Sequence, residues 1–323
     1  MTKNSKPLRV VITGASSGIG AATAVAFAKR GATLVISARG QAGLDDVAAR
    51  CRAVGGKAHV RTVDATDAPA VARLAAEARD LLGGIDLWFS NVGVGVVGKY
   101  EDVPIADHAQ VIASNLVGHM NDAHAVLPIF LAQDHGTFVN MISVGGFVAT
   151  PYAAAYAASK FGLRGFSEAL RGELSKHPRI HVCDVYPTFV DTPGVDHAAN
   201  YSGAKLSLPP GSLAPETVAK AVVRLARHPR NTVAIGAPAI VLKLSQFLAP
   251  NLGAAVMNGF MDVWSDKAEP GDDNTGSLYE PATTPSGIDG GRRHPERRRK
   301  AAVAVGGVAG LAVLGAYLWR RRK

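Results

Sequence analysis

Short apolar runs alternate with alanine-rich helical segments along most of the chain, from Leu8 to about Ile235. The apolar runs are five to eight residues long, which suits buried strands. In chain order they read RVVIT, TLVIS, AHVRTV, IDLWFS, GTFVNMIS, IHVCDVYP and NTVAIG. This alternation predicts an α/β fold over residues 1–236: a doubly wound Rossmann-type parallel sheet of about seven strands with helices on both faces.

The pattern changes after residue 236. Residues 237–264 carry an apolar stripe at helical spacing and predict a helical extension that is a lid, part of the core or a membrane contact. Residues 265–300 are rich in Gly, Pro, Asp, Thr and Arg and predict a flexible basic linker. Residues 301–319 are nineteen uncharged residues between basic clusters, the second being the tail 320–323. A buried Ala/Gly-rich helix would have a similar sequence. Because the polar linker separates this segment from the core, we predict a transmembrane anchor.

The positive charge is concentrated near the C-terminus. The net charge is +9, and residues 292–323 hold ten Lys or Arg and one acid, so the preceding chain is almost neutral. A nucleic-acid-binding domain would carry its basic face on the folded body, and we therefore expect no nucleic-acid partner.

The two cysteines, Cys51 and Cys183, are too few for a disulfide framework and are predicted to be buried. The ten histidines show no metal-ligand spacing, and His119 and His124 are expected at a surface or interface; no metal is predicted.

A glycine-rich loop, TGASSGIG, follows the first predicted strand. Gly14, Gly18 and Gly20 permit a tight turn and close approach of a pyrophosphate, and the helix that follows directs free N–H groups at phosphates. The spacing differs from the common GxGxxG, and a purely structural glycine turn is the alternative.

This loop, taken with Tyr156 and Lys160 in YAASK, resembles the short-chain dehydrogenase/reductase family, and the similarity runs from about Leu8 to Ile235. The resemblance implies an active site of four residues: Asn115, Ser143, Tyr156 and Lys160. It also implies that Asn115 holds a water linking Lys160 to solvent, and that Lys160 binds the nicotinamide ribose.

Two tyrosines compete for the catalytic role. Tyr152 and Tyr156 lie eight and four residues before Lys160, so both could face it from a helix. Members of the resembled family keep the serine about thirteen residues before the catalytic tyrosine, and Ser143 to Tyr156 fits. Tyr152 follows Pro151 near the predicted helix start and is expected to shape the substrate pocket or to pack.

The chemistry explains these residue types. Reduction of a carbonyl leaves negative charge on its oxygen, and a tyrosine with a pKa of about 10 gives up its proton slowly near neutrality. We expect the ammonium of Lys160 to lower the pKa of Tyr156, and Ser143 to align the carbonyl by a hydrogen bond.

The end of the second strand indicates the cofactor. Ala38 stands where an acid would bind the ribose of NAD, and Arg39 follows. A guanidinium suits the 2′-phosphate of NADP, so NADP(H) is predicted; a solvent-facing arginine is the alternative. Together with the glycine loop and Arg39, the resemblance implies the full set of cofactor-binding residues: Thr13, Gly14, Ser16, Ser17, Gly18, Ile19, Gly20, Arg39, Asp64, Asn91, Gly93, Tyr156, Lys160, Pro187, Val190 and Thr192.

Two positions depart from the resembled family. Ser90 replaces the first asparagine of its NNAG motif, which would alter the hydrogen bonding between neighbouring strands. Thr188 replaces the glycine of Pro-Gly and would add a side chain near the nicotinamide face. Neither removes a group that transfers a proton.

These features predict an NADP(H)-dependent oxidoreductase that interconverts a carbonyl and an alcohol on a lipophilic substrate. A single C-terminal span would hold it at a membrane, with the catalytic domain on the cytoplasmic side because no signal peptide is visible. The resemblance also implies a homodimer or homotetramer. The alternative function is a membrane-tethered NADP(H)-binding scaffold or redox sensor without significant turnover.

Overall fold

A computed structural model describes residues 6–209, 211–236, 268–282 and 287–293 of the 323-residue chain. The predicted helical extension (237–264), the predicted anchor (301–319) and the basic tail (320–323) lie outside the described residues. Within the described ranges, no helix has the length and apolar character needed to cross a membrane.

Each of the seven apolar runs forms a strand of one sheet. The strands of this sheet are β1 (Arg9–Thr13), β2 (Thr33–Ala38), β3 (Lys57–Thr62), β4 (Leu87–Ser90), β6 (Gly136–Met141), β7 (Ile180–Pro187) and β9 (Thr232–Ile235). Two three-residue strands, β5 (Val96–Gly98) and β8 (Ala199–Tyr201), pair in a separate parallel ribbon that the sequence analysis did not predict.

The order of strands across the main sheet is β3-β2-β1-β4-β6-β7-β9, and each neighbouring pair is parallel. The chain starts in the middle of the sheet, builds outward to β3, and then returns to the other side of β1. The order therefore reverses between β1 and β4, and a crevice forms outside the carboxyl ends of the strands at such a point. The predicted doubly wound parallel sheet is confirmed.

Helices cover both faces of the sheet, as predicted. They are α1 (Gly18–Ala28), α2 (Gln41–Ala53), α3 (Ala68–Leu82), α4 (Ile105–Ile112), α5 (Gly118–Gln133), α6 (Ala154–Glu173) and α7 (Pro215–Leu225). Helices α1, α2 and α7 share one apolar core with Val10 and Ile12, and α3 and α5 share the other with Val11. This division follows from the two-residue period of a strand, which directs successive side chains to opposite faces. Cys51 and Cys183 are buried free thiols, as predicted.

The described part of residues 265–300 packs against the folded body. We call residues 268–282 and 287–293 the C-terminal strap. Leu278 is only 1% exposed, and Asn274 exchanges two backbone hydrogen bonds of 2.9 Å with Asn200, the central residue of β8. The flexible linker stays a prediction for residues 265–300, and the contacts of the strap with the body were not predicted. Polar composition gave no sign of them because main-chain groups, which are the same in every residue, make many of these hydrogen bonds.

A buried carboxyl on α5 joins the two strands at the reversal of strand order. The Oδ2 atom of Asp122 accepts hydrogen bonds from the hydroxyls of Thr13 (2.6 Å) and Ser90 (2.7 Å), the last residues of β1 and β4. Ser90 thus still ties neighbouring strands together, through its hydroxyl. Burial outweighs these two hydrogen bonds and raises the pKa of Asp122 to about 6.

This buried acid predicts a pH-dependent contribution to stability. The folded protein holds the Asp122 proton more tightly than the unfolded chain does, so the neutral carboxyl stabilises the fold below about pH 4 and this advantage is lost as the pH rises through about 6. In Asp122→Asn the amide imitates the neutral acid at every pH. We expect the stability of the wild type relative to this variant to fall by roughly 2 kcal/mol between about pH 4 and pH 7. Urea unfolding of both proteins at several pH values measures this, and a constant difference would contradict it.

Candidate active site

The predicted site residues lie at the carboxyl ends of neighbouring strands, where the crevice forms. The glycine loop follows β1, Asn91 and Gly93 follow β4, Ser143 follows β6, and Pro187 ends β7. The parallel sheet brings them to one edge although they are far apart in sequence.

The loops after β1 and β4 are in direct main-chain contact. Gly14 has φ +64°, and a Cβ placed on it would lie 2.7 Å from the carbonyl oxygen of Asn91. The Asn91 side-chain amide donates to the Gly14 carbonyl at 2.9 Å. A Cβ on Gly20 would lie 2.2 Å from the same carbonyl, so α1 starts directly against this turn. These glycines are required because no side chain fits.

The first turn of α1 presents its N-terminal N–H groups to the crevice. Its N-cap residue, Ser17, makes no side-chain capping bond; Ser16 precedes it, and Ile19 is the second residue of the helix. The Gly18 N–H donates to the carbonyl of Gly287 in the C-terminal strap at 2.8 Å. A Cβ on Gly18 would lie 3.0 Å from the Cβ of Thr192, which places Thr192 against the glycine loop.

Tyr156 and Ser143 lie side by side at the crevice: a Cβ added to Gly145 would lie 3.2 Å from Cε1 of Tyr156 and 3.7 Å from Oγ of Ser143. Lys160 follows one turn later on α6, is 3% exposed, and its Nζ lies 5.6 Å from the centre of the Tyr156 ring. Lys160 Nζ also donates to the Met141 carbonyl at 3.1 Å, which directs it towards the end of β6. Three of the four predicted catalytic residues are therefore in one cluster.

The pKa values in this cluster differ from the sequence-based expectation. Burial raises the pKa of Tyr156, and the polar side chain of Ser143 offsets this only in part. Burial also lowers the pKa of Lys160 to about 7, so near neutrality the lysine is charged only part of the time. The pKa of Tyr156 is therefore raised, not lowered as expected, because removal from water is the largest influence on both groups.

Asn115 lies at an irregularity between α4 and α5. Residues Ala113–Val117 form a single π-helical turn, a feature frequent at functional sites. The buried Asn115 amide binds both backbone groups of Val94, accepting at 2.8 Å and donating at 2.9 Å. It also donates to the Ser159 hydroxyl at 3.4 Å. Asn115 therefore joins the loop after β4 to the helix that carries Tyr156.

Tyr152 is separate from this cluster. It is 38% exposed, has φ +62°, and precedes α6. Its carbonyl accepts from the Gly98 N–H at 2.9 Å. The geometry therefore favours Tyr156 as the partner of Ser143 and Lys160.

Residues predicted to bind the adenosine half lie at the ends of β2 and β3. The Arg39 guanidinium donates to the carbonyl oxygens of Leu278 (3.0 Å) and Tyr279 (2.9 Å) of the strap. Asp64 accepts from both the N–H and the hydroxyl of Thr66 at 2.8 Å each, closing a tight turn.

The segment after β7 holds the remaining predicted residues. Val190 forms an isolated bridge with Leu213. The Thr188 N–H donates to Ile235 at 3.1 Å, and its hydroxyl lies 2.7 Å from the position of a Cβ on Gly236. The extra side chain of Thr188 is thus directed towards β9.

Sequence reasoning missed a buried polar group beside the lysine. His119 was expected at a surface or interface, but it is fully buried and contacts Asn140 (2.5 Å) and the Val92 carbonyl (2.7 Å). Burial and the nearby Lys160 lower the pKa of His119 to about 4, so it is neutral. His119 lies one helical turn after Asn115, and this spacing was the available signal. His124 is exposed, as expected.

Comparison with known proteins agrees with this geometry. Residues 9–201 match the short chain dehydrogenase family. A ketoacyl reductase of Nostoc is 30% identical over 74% of this chain and 82% of its own. Mouse estradiol 17-beta-dehydrogenase 11 is 29% identical over 61% of this chain and 67% of its own. An alcohol dehydrogenase from the archaeon Thermococcus sibiricus, solved with 5-hydroxy-NADP, has the same fold: the TM-score is 0.62 at 24% identity, covering 71% of this chain and 96% of that one.

The backbone of Ser143 provides a test of the site's construction. Its φ of 122° and ψ of 158° lie in a region that is almost exclusive to glycine and that costs other residues about 1–3 kcal/mol. Ser143→Gly and Ser143→Ala both remove the hydroxyl, so their difference isolates this cost. We expect the glycine variant to be more stable by about 1 kcal/mol, after its greater unfolded-state entropy is deducted. Urea denaturation measures the difference.

The matched control is the same pair of substitutions at Ser167, which lies within α6 and whose hydroxyl accepts from Asn140. There the alanine variant should be the more stable, by about 1 kcal/mol, because glycine disfavours a helix. An alanine advantage at both positions would refute strain at Ser143.

Proposed function

The chain belongs to the short-chain dehydrogenase family of oxidoreductases, and from that membership we propose that it interconverts a carbonyl and an alcohol on an apolar substrate, using NADP(H). One observation carries the proposal: the side chains of Tyr156 and Ser143 lie side by side at the crevice that the glycine loop borders, and buried Lys160 follows one turn later with its Nζ 5.6 Å from the centre of the Tyr156 ring. The site thereby combines a proton donor (Tyr156), a group that orients the substrate oxygen (Ser143) and a titratable neighbour (Lys160).

The residues of the crevice fit a nicotinamide dinucleotide. The first N–H groups of the eleven-residue helix α1 suit a pyrophosphate by hydrogen bonding and by the positive end of the helix dipole. The close approach of the loops at Gly14 leaves main-chain groups, without side chains, on that side. Thr192 at Gly18, and Asn91 and Gly93 after β4, would line the path towards Tyr156.

When bound, NADP(H) supplies or accepts the hydride at the substrate carbon. In the reduction, negative charge develops on the substrate oxygen, and the Tyr156 hydroxyl donates its proton there. The Ser143 hydroxyl orients the same oxygen by a hydrogen bond. Lys160, with a pKa of about 7, exchanges protons near neutrality and is placed to restore the proton on Tyr156. Asn115 holds the loop after β4 and Ser159 in place around this exchange.

Several features support an apolar substrate. Tyr156 packs in a cluster of apolar side chains: Val94, Val96, Val103, Val111, Ala155 and Ala199. Two relatives are named for a ketoacyl group and for a steroid. We propose further that residues 301–319 anchor the chain in a membrane, where apolar substrates concentrate. The catalytic domain would lie on the cytoplasmic side. Pairing into a homodimer or homotetramer is also proposed.

Matched tyrosine variants test the proton donor. We expect Tyr156→Phe to lower kcat for NADPH-dependent carbonyl reduction by about 10²–10⁴-fold, because it removes the hydroxyl that donates the proton. Tyr152→Phe is the control and should keep kcat within about threefold, since that side chain is separate from Ser143 and Lys160. The measurement is NADPH oxidation by the full chain in detergent against ketones and aldehydes graded in apolar size.

The same panel separates the competing functions. NADPH that binds but is never oxidised by any carbonyl, or formed from any alcohol, would favour a scaffold or redox sensor. Equal losses in both tyrosine variants would contradict the assignment of Tyr156.

Arg39 tests the choice of cofactor. Replacing it with methionine removes a charged hydrogen-bond donor suited to a 2′-phosphate, so the ratio of Kd for NADH to Kd for NADPH should fall by about 10–100-fold. The ratio is the useful quantity because a released strap would affect both cofactors alike. Isothermal titration of both cofactors with wild type and Arg39→Met measures it. An unchanged ratio would mean that Arg39 does not select NADP(H).

A further inference from the structure

The C-terminal strap follows the crevice that the proposed cofactor would use. It starts beside β8, where Asn274 pairs with Asn200. It then passes Arg39 at the end of β2, and Pro281 packs against Gly40, where an added Cβ would lie 3.2 Å from the proline. Its second described piece returns to the first turn of α1 at Gly18.

Arg39 is engaged entirely by main-chain oxygens of the strap. Its guanidinium donates to the carbonyls of four successive residues, Ser277, Leu278, Tyr279 and Glu280. These carbonyls direct their negative ends at one cation, as the oxygens of a phosphate would. The donors predicted to hold the 2′-phosphate are therefore already in use.

The strap also occupies the donor predicted to hold the pyrophosphate. The Gly18 N–H, at the first residue of α1, donates to the carbonyl of Gly287 at 2.8 Å. Two separate points of the proposed nucleotide site, the one for the 2′-phosphate and the one for the pyrophosphate, are thus contacted by a single peptide segment.

Side chains hold the strap in this position. Leu278 is 1% exposed and packs with Val96, Val111 and Ala199 in the cluster that contains Tyr156. The Tyr279 hydroxyl donates to the buried carboxylate of Asp107 at 2.6 Å.

The end of the strap is held by charge. Arg292 and Arg293 lie 3.7 Å from the buried carboxylate of Asp191. Because Asp191 directly precedes Thr192, the strap reaches the side of the crevice expected to hold the nicotinamide.

We propose that the C-terminal strap is an intramolecular competitor of the dinucleotide: it occupies the nucleotide groove, and NADP(H) must displace it to bind. This inference rests on the proposed function, because it takes the groove to be the cofactor site. The two occupants exclude each other since both need the Arg39 guanidinium and the Gly18 N–H. The apparent Kd for the cofactor is the intrinsic Kd divided by the fraction of chains in which the groove is free, so the docked strap weakens cofactor binding. A change that undocks the strap therefore increases cofactor affinity.

The first experiment measures NADPH affinity of the full chain in detergent by isothermal titration. Leu278→Asp places a charge in the apolar cluster, undocks the strap, and should lower the Kd for NADPH by about tenfold or more. Thr275→Asp adds the same charge at an exposed position of the strap and should leave the Kd unchanged. An unchanged Kd in Leu278→Asp would overturn the proposal. A higher Kd would also overturn it, because the strap would then be part of the cofactor site.

The second experiment needs no variant. Backbone N–H groups of the strap at Gly271, Asn274 and Ser277 are hydrogen-bonded to the body. Hydrogen exchange of strap peptides, followed by mass spectrometry, should accelerate about tenfold or more at saturating NADPH, while peptides from β2 stay unchanged. Slower or equal exchange of the strap would overturn competition.

The outcomes also separate this proposal from the proposed function. NADPH binding with equal affinity in all variants, and with a protected strap, defeats competition and leaves the oxidoreductase intact. Absence of NADPH binding even in Leu278→Asp defeats both, because the groove would then not be a cofactor site.

Discussion

The loops after β1 and β4 approach so closely that no side chain fits between them, and the rest of the site depends on this contact. A Cβ on Gly14 would meet the main chain of the second loop at 2.7 Å, and a Cβ on Gly20 would meet the carbonyl of Gly14 at 2.2 Å. The contact fixes where α1 begins and therefore where its free N–H groups point. It also places Asn91 and the following residues beside the crevice. Backbone proximity at the reversal of strand order thus determines the position of each later group.

Removal from water is the second constraint, and it favours the neutral form of four buried ionisable groups near the sheet edge. It raises the pKa of Asp122 and of Tyr156, and it lowers the pKa of Lys160 and of His119. All four shifts favour neutral forms, so the buried polar groups add little net charge to the interior. For Lys160 the consequence is chemical, because a pKa of about 7 allows it to gain and lose a proton under ordinary conditions.

The same groove has two uses in this account, and they are chemically related. A dinucleotide offers phosphate oxygens, whereas the strap offers peptide carbonyls, and both accept hydrogen bonds from Arg39 and Gly18. A peptide can occupy a nucleotide site in this way because its acceptors belong to the main chain and recur at every residue. The burial of Leu278 beside the apolar cluster adds the affinity that carbonyl contacts alone would lack.

The sequence by itself determined the doubly wound sheet and its seven strands, and through its resemblance to a known family it predicted that Ser143, Tyr156 and Lys160 act together. The sheet follows from the periodicity of apolar positions, and the resemblance rests on a glycine-rich turn and on the short spacing of Tyr156 and Lys160. Only the tertiary structure decided that His119 is buried, that Ser90 shares Asp122 with Thr13, and that burial raises the pKa of Tyr156. It also decided that part of a polar, glycine-rich stretch packs in the groove more than two hundred residues from its partner Arg39. Such contacts leave no periodic trace, because main-chain carbonyls are the same in every residue and long-range packing alone selects which of them meet a donor.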